Sequence, residues 1–287
     1  MTSADLKNKI HLFKNNFLNK WSSGTQSSTF QMHPFAAAAG CALIEALHKE
    51  NLISLILMSI LNLCINVKKS MKKILVTGGA GFIGTNLILQ LKKLNYTIVS
   101  LDNYSSGKKD NEILGVKYIQ SDIEDIDSIK TNFDICFHLA AQSRVTPSFK
   151  NPEESFRVNS SGTRKVMEWA MVNGIKVIYA GSASRHQDVL TSPYALSKFM
   201  GEEICMLYRR HFGVDVEITR FYNVYGPRQI KSGNMATVIG IFEHQYLKKK
   251  PLTVVKPGTQ TRRFTHIDDT VKICYKAFKA NKCRYYS

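Results

Sequence analysis

Tyr194 and Lys198 stand one helical turn apart in "SPYALSK", which puts a phenol and an ammonium on one face. The chemistry open to such a pair is proton transfer. A phenol with an ordinary pKa of about 10 works as a base near neutrality only if that value is lowered, and a neighbouring ammonium stabilises the phenolate. The spacing by itself describes a solvated surface pair equally well. Its setting says more. The apolar run "VIYAGS" ends in the hydroxyl of Ser182 shortly before it, and a run of glycines lies about a hundred residues upstream.

Those glycines form Gly78-Gly79-Ala80-Gly81-Phe82-Ile83-Gly84. Glycine is needed where a backbone turns tightly, where it approaches a pyrophosphate, and where a helix packs closely on a strand. A helix starting there presents free N–H groups and the positive end of its dipole to phosphates. Asp102 ends the next apolar run, "YTIVSLD", where a carboxylate accepts hydrogen bonds from the ribose hydroxyls of adenosine. It also repels a 2′-phosphate, so the pattern favours NAD over NADP. The alternative for Asp102 is a turn residue before Asn103. No metal site is expected.

The elements that must position these residues follow from the patterning. "ILVTG" (74–78) reads as a short buried strand, 82–94 has helical periodicity, and 96–102 is a second strand. Strand, glycine turn, helix, strand is a βαβ unit, which predicts an α/β fold with a parallel sheet. "VKYI" and "DICFH" are further strands. The second runs into Leu139-Ala140-Ala141-Gln142, small residues that let a flat cofactor lie against the carboxyl end of a sheet.

The glycine spacing is G-x-x-G-x-x-G, and "TGGAGFIG" resembles the turn of the extended short-chain dehydrogenase/reductase superfamily, the NAD-dependent sugar-nucleotide epimerases and dehydratases. "HLAA", "FRVNSSGT", "RFYNVYGPRQ" and "TRRFTHIDD" resemble its later motifs, in family order from Met71 to about Cys283. The resemblance implies a Rossmann-type doubly wound parallel sheet with a small, shortened C-terminal substrate-binding part, its elements running from about residue 221. It implies NAD contacts from Gly78, Gly81, Phe82, Ile83, Gly84, Asp102, Asn103, Asp122, Ile123, Leu139, Ala140, Ala141, Gln142, Asn159 and Phe221. In the family's mechanism Tyr194 would remove a hydroxyl proton, Lys198 would hold the nicotinamide ribose and tune Tyr194, and Ser182 would bond the reacting oxygen. Asn159 would steady the site, and Asn223 and Arg262 would bind the substrate diphosphate. His266, Asp268 and Asp269 read as the start of a helix.

Departures narrow the reaction. Dehydratases of the superfamily place an Asp-Glu pair after the position of Ser182, and decarboxylating relatives a glutamate; here stand Ala183 and Ser184. A nearby cysteine, which 3,5-epimerases want, is missing. What remains is 4-epimerisation of a sugar nucleotide, a UDP-sugar before others. The alternatives are an NAD-dependent sugar-nucleotide reductase and a truncated, non-catalytic NAD-binding protein. The latter draws on the short stretch of 11 residues between Ser182 and Tyr194, on Arg263 in place of the family's acid, and on the chain ending at Ser287.

Residues 1–70 read as an N-terminal appendage, a fused fragment placed before a family-like start at Met71. Within it, residues 24–55 resemble a fragment of a class III pyridoxal-phosphate aminotransferase, in which the threonine matching Thr29 contacts cofactor phosphate; a stretch this short implies no transaminase. The apolar 52–67 is short for a membrane span, which takes about 20 residues, so no membrane partner is expected. The net charge of +17 is spread in short lysine clusters without a nucleic-acid-binding motif, so no nucleic acid is expected either. The six cysteines form no framework, which favours a reducing compartment, the cytoplasm. A homodimer is the assembly considered.

Overall fold

A computed structural model describes residues 72–130, 132–186 and 188–280, and the backbone of 285–286. The chain divides into units 1–70 and 71–287, and every described residue lies in the second. The appendage, its aminotransferase-like stretch and its apolar run lie outside the described residues.

The glycine unit is built as the patterning predicts: β1 (Lys73–Thr77), α1 (Phe82–Lys93) and β2 (Thr97–Asp102). There follow β3 (Lys117–Gln120), β4 (Ile135–His138), the short helices α2 (Val145–Lys150) and α3 (Pro152–Phe156), and α4 (Thr163–Asn173). Between α3 and α4 the chain makes a wide helical turn, Arg157–Gly162, of the kind that collects at functional sites. Then come β5 (Lys176–Ser182), α5 (Pro193–Phe212) and β6 (Val216–Phe221). The last part is β7 (Val224–Tyr225), α6 (Val238–Leu247), β8 (Thr265–His266), α7 (Ile267–Lys279) and β9 (Tyr285–Tyr286).

The main sheet has seven strands, all parallel, in the order β3-β2-β1-β4-β5-β6-β9. Apart from β9 this is the doubly wound Rossmann order. β7 and β8 form a separate two-stranded parallel sheet. The middles of the central strands, 74–76, 135–137 and 177–180, are apolar because both faces are covered. Leu75 enters the core shared with α4 and α5, while its neighbours Ile74 and Val76 enter the core beneath α1 and α7, the alternation a strand imposes.

The strand order reverses between β1 and β4, and ligands of such sheets bind outside the carboxyl ends of the strands at that crevice. Thr77, Asp102, His138, Ser182 and Phe221 each end a strand on that edge. Among the described residues no helix is long and apolar enough to cross a membrane, and no group of His, Cys, Asp or Glu could hold a metal ion.

Candidate active site

The glycine turn closes against β4. Gly78 has φ +72°, and a Cβ there would stand 2.8 Å from Ala140 N, so only glycine fits. At Gly84 a Cβ would meet Gly78 O at 2.2 Å, which is why α1 can seat so near the turn. The N-cap of α1 is Gly81, with no side-chain hydrogen bond and no acid in the first turn. Its first N–H groups are therefore left for an anion, and this cradle fits the pyrophosphate of a dinucleotide. Phe82 and Ile83 pack against the core beneath α1.

Asp102 is buried, and each carboxylate oxygen accepts one backbone N–H: Oδ2 from Ala80 at 2.9 Å and Oδ1 from Tyr104 at 2.8 Å. Burial pushes its pKa up, and the two N–H groups oppose that. Asp102 thus holds the glycine turn to the end of β2. Asn103 donates to Asp122 at 3.0 Å. The Asp122 carboxylate is taken by Arg157 at 2.8 and 3.1 Å and by Glu124 N at 3.1 Å, with Arg157 holding its pKa down at about 2. Its side chain shapes the loop, and Ile123 enters the core.

Behind Leu139 to Gln142 lies a continuous hydrogen-bonded rod. Ala140 N donates to Thr77 Oγ1 (3.2 Å), Thr77 Oγ1 meets His138 Nδ1 (2.9 Å), His138 Nε2 meets Thr163 Oγ1 (3.1 Å), and Thr163 Oγ1 donates to Asn159 O (2.7 Å). Because Thr163 spends its proton on a carbonyl, it must accept from His138. That places the imidazole proton on Nε2 and makes Nδ1 the acceptor for Thr77. Burial, with the charge of Lys198 added, pulls the His138 pKa down to about 3, so the ring is neutral. Asn159 continues the clamp: it accepts from Gln142 N (2.9 Å) and donates to Gln142 O and Ser197 Oγ (each 3.0 Å). It ties the loop after β4 to α5, the helix of Tyr194 and Lys198.

On α5, Ser192 caps the N-terminus by accepting from Ala195 N at 3.1 Å, with Pro193 as first helical residue. Ser182 Oγ stands 3.2 Å from Tyr194 Oη, and Ser184 Oγ donates to Ser182 Oγ at 2.8 Å. Three hydroxyls therefore converge. Lys198, on the same helix face, donates to Ala180 O at 2.6 Å and lies 4.4 Å above the Tyr179 ring. Burial lowers its pKa to about 8 against the pull of Glu202. The Tyr194 pKa is raised by burial, and the groups opposing that are the Ser182 hydrogen bond and the charge of Arg144.

Behind Ser182, Glu202 is buried, accepts from Ser182 N at 3.4 Å and pairs with Arg220 at 2.9 Å, joining β5, β6 and α5. Phe221 pairs in register with Ser182. Asn223 donates to Arg263 O at 2.8 Å, and exposed Arg262 donates to Thr261 O at 2.8 Å; both flank the small sheet. No direct contact joins either to Ser182 or Tyr194 among the described residues. His266 caps α7 by accepting from Asp268 N at 3.3 Å. Arg144, Ser184 and the Thr77–His138–Thr163 rod were not read from the sequence. A polar residue ending a buried strand, as at Thr77 and His138, was the available signal.

A Rossmann sheet, a glycine cradle at its switch point, an acid ending β2 and a Ser-Tyr-Lys set at β5 and α5 define a dinucleotide-dependent enzyme of the short-chain dehydrogenase/reductase type. The chain belongs to the NAD dependent epimerase/dehydratase family, whose model matches residues 74–285. It is 37% identical over 217 residues to a Methanocaldococcus jannaschii protein provisionally named UDP-glucose 4-epimerase, covering 69% of this chain and 71% of that one. It is 34% identical to a UDP-N-acetyl-alpha-D-glucosaminuronate decarboxylase of Bacillus cytotoxicus, covering 70% of this chain and 69% of the relative. Among solved structures it is similar to the UDP-glucose 4-epimerase of Thermotoga maritima with UDP-glucose, at TM-score 0.69 and 29% identity over 72% of this chain and 73% of that one. NAD is the family's cofactor.

Proposed function

We propose that this chain is a sugar-nucleotide 4-epimerase acting on a UDP-sugar. The observation that carries the reading is the hydroxyl cluster Ser182–Tyr194–Ser184, which no carboxylate joins among the described residues. The positions where dehydratases and decarboxylases of the family are expected to carry acids hold Ala183 and Ser184. Proton transfer at one hydroxyl is what such a cluster supports.

The glycine turn, Asp102 and Lys198 would hold NAD, which would supply a reversible hydride acceptor for the sugar carbon. Tyr194 removes the proton from the C4 hydroxyl and returns it to the same oxygen, so the proton balance closes within one turnover. Ser182, in hydrogen-bond reach of Tyr194, holds that oxygen. Lys198 supplies positive charge at the end of β5, Asp102 takes the adenosine ribose, and Asn223 and Arg262 take the diphosphate. Residues 71–287 form the catalytic unit in this reading, with 1–70 appended. The buried free thiols Cys136, Cys205 and Cys274 suit a reducing cytoplasm.

The test is incubation with NAD and a panel of nucleotide sugars. C4 epimers formed with no net NADH support the reading. Loss of carbon dioxide, net oxidation of NADH, or NAD binding without any turnover would replace it.

A further inference from the structure

Arg144 immediately precedes α2, and α2 is fixed to the catalytic helix because Tyr194 N donates to Ser148 Oγ at 3.1 Å. The guanidinium is half-buried. Its hydrogen bonds go to two neutral carbonyls, Met235 O at 2.8 Å from Nε and Ser143 O at 2.9 Å from Nη1. Two of its five N–H bonds are thereby accounted for. No carboxylate pairs with it among the described residues, whereas Arg157 is paired with Asp122, Glu124 and Glu154, and Arg185 with Glu202 and Glu203.

Removing a cation from water without an acid beside it is costly, and burial lowers the Arg144 pKa accordingly. Its charge acts on Tyr194, which the Ser148 bond ties to the helix that Arg144 precedes and which is uncharged until it takes part in proton transfer. A half-buried cation with no acidic partner among the described residues is a group for an anion that arrives with the ligand. The diphosphate is assigned above to Asn223 and Arg262. An anion close to the oxygen that Tyr194 handles, on C4, must sit on a neighbouring carbon of the same ring.

We propose that Arg144 is a specificity residue that binds the C6 carboxylate of a nucleotide hexuronate. This rests on the nucleotide-sugar reading and names its substrate class. A guanidinium meets a carboxylate with two parallel hydrogen bonds, which fixes the ring as well as binding it.

The experiment measures binding of UDP-glucuronate, UDP-glucose and UDP to the NAD-loaded full chain, and epimerisation of the two sugars. The parent binds UDP-glucuronate about tenfold or more tighter than UDP-glucose, the size of effect a desolvated charge pair gives. Arg144→Gln loses that preference, while its affinity for UDP moves by less than about threefold. Arg144→Lys, which keeps the charge without the fork, retains part of the preference and serves as the test if the glutamine variant does not fold. Equal affinity of the parent for both sugars overturns the assignment, and so does an equal loss for UDP alone, which would place the guanidinium on the diphosphate. If UDP and both sugars fail to bind, the nucleotide-sugar reading falls and this one with it.

Discussion

Tyr194 shares its hydroxyl with Ser182, and Ser184 stands ready to keep Ser182 bonded if that hydroxyl is lost. Tyr194→Phe therefore leaves the fold and NAD affinity in place while turnover falls by about 10²–10⁴. A phenylalanine variant as fast as the parent would remove Tyr194 from the mechanism. Lys198 makes a different prediction. Below its folded pKa of about 8 it is charged in both folded and unfolded chains, so the folded chain bears the whole cost of burying it. Between about 8 and its unfolded value near 10.5 the folded chain gives up the proton first, and stability rises with pH through that window. Lys198→Met should raise the Tm near neutrality by about 3 °C or more, with the gain shrinking above about pH 8. The same variant should bind NAD more weakly. Scanning calorimetry against pH, beside NAD titration, reads both effects.

At the scale of elements, β1, β4 and α4 are joined by the rod through Thr77, His138 and Thr163. A buried histidine that stays neutral to about pH 3 is a liability in acid. Its unfolded counterpart takes a proton below about 6.5, so stability falls with pH by about 1.4 kcal/mol per unit across that range. His138→Gln should flatten the acid side of the stability curve relative to the parent; an unchanged slope would mean that another group sets it. The βαβ unit was legible because glycine spacing and the change from strand to helix period are local signals. Its observed bounds differ from the reading by a residue at most at each end. The two-residue strands β7 and β8 and the wide turn at Arg157–Gly162 were not legible, since neither is long enough to show a period. Arg144 was missed for another reason. Its neighbourhood is made by α2 packing on α5, whose Tyr194 lies 46 residues from Ser148, and nothing local marks it.

At the scale of the whole molecule, every described strand lies within the unit 71–287, and the family match begins at 74. A chain starting at Met71 should bind NAD as the full chain does, with Kd within about twofold, because the cradle, Asp102 and the Ser-Tyr-Lys set all lie inside it. Loss of binding or of cooperative melting would make residues 1–70 part of the domain. The rod has a use of its own here. An imidazole N–H sealed in the core exchanges slowly with solvent, and its proton resonates far downfield of the amides. The His138 ring has one permitted proton position, so it should give one such line. That line is tied at one end to Ala140, in the cofactor crevice, and at the other to the backbone of Asn159, which clamps the catalytic helix. A single unlabelled proton spectrum would thus report both that the sheet has assembled and that the crevice has been filled.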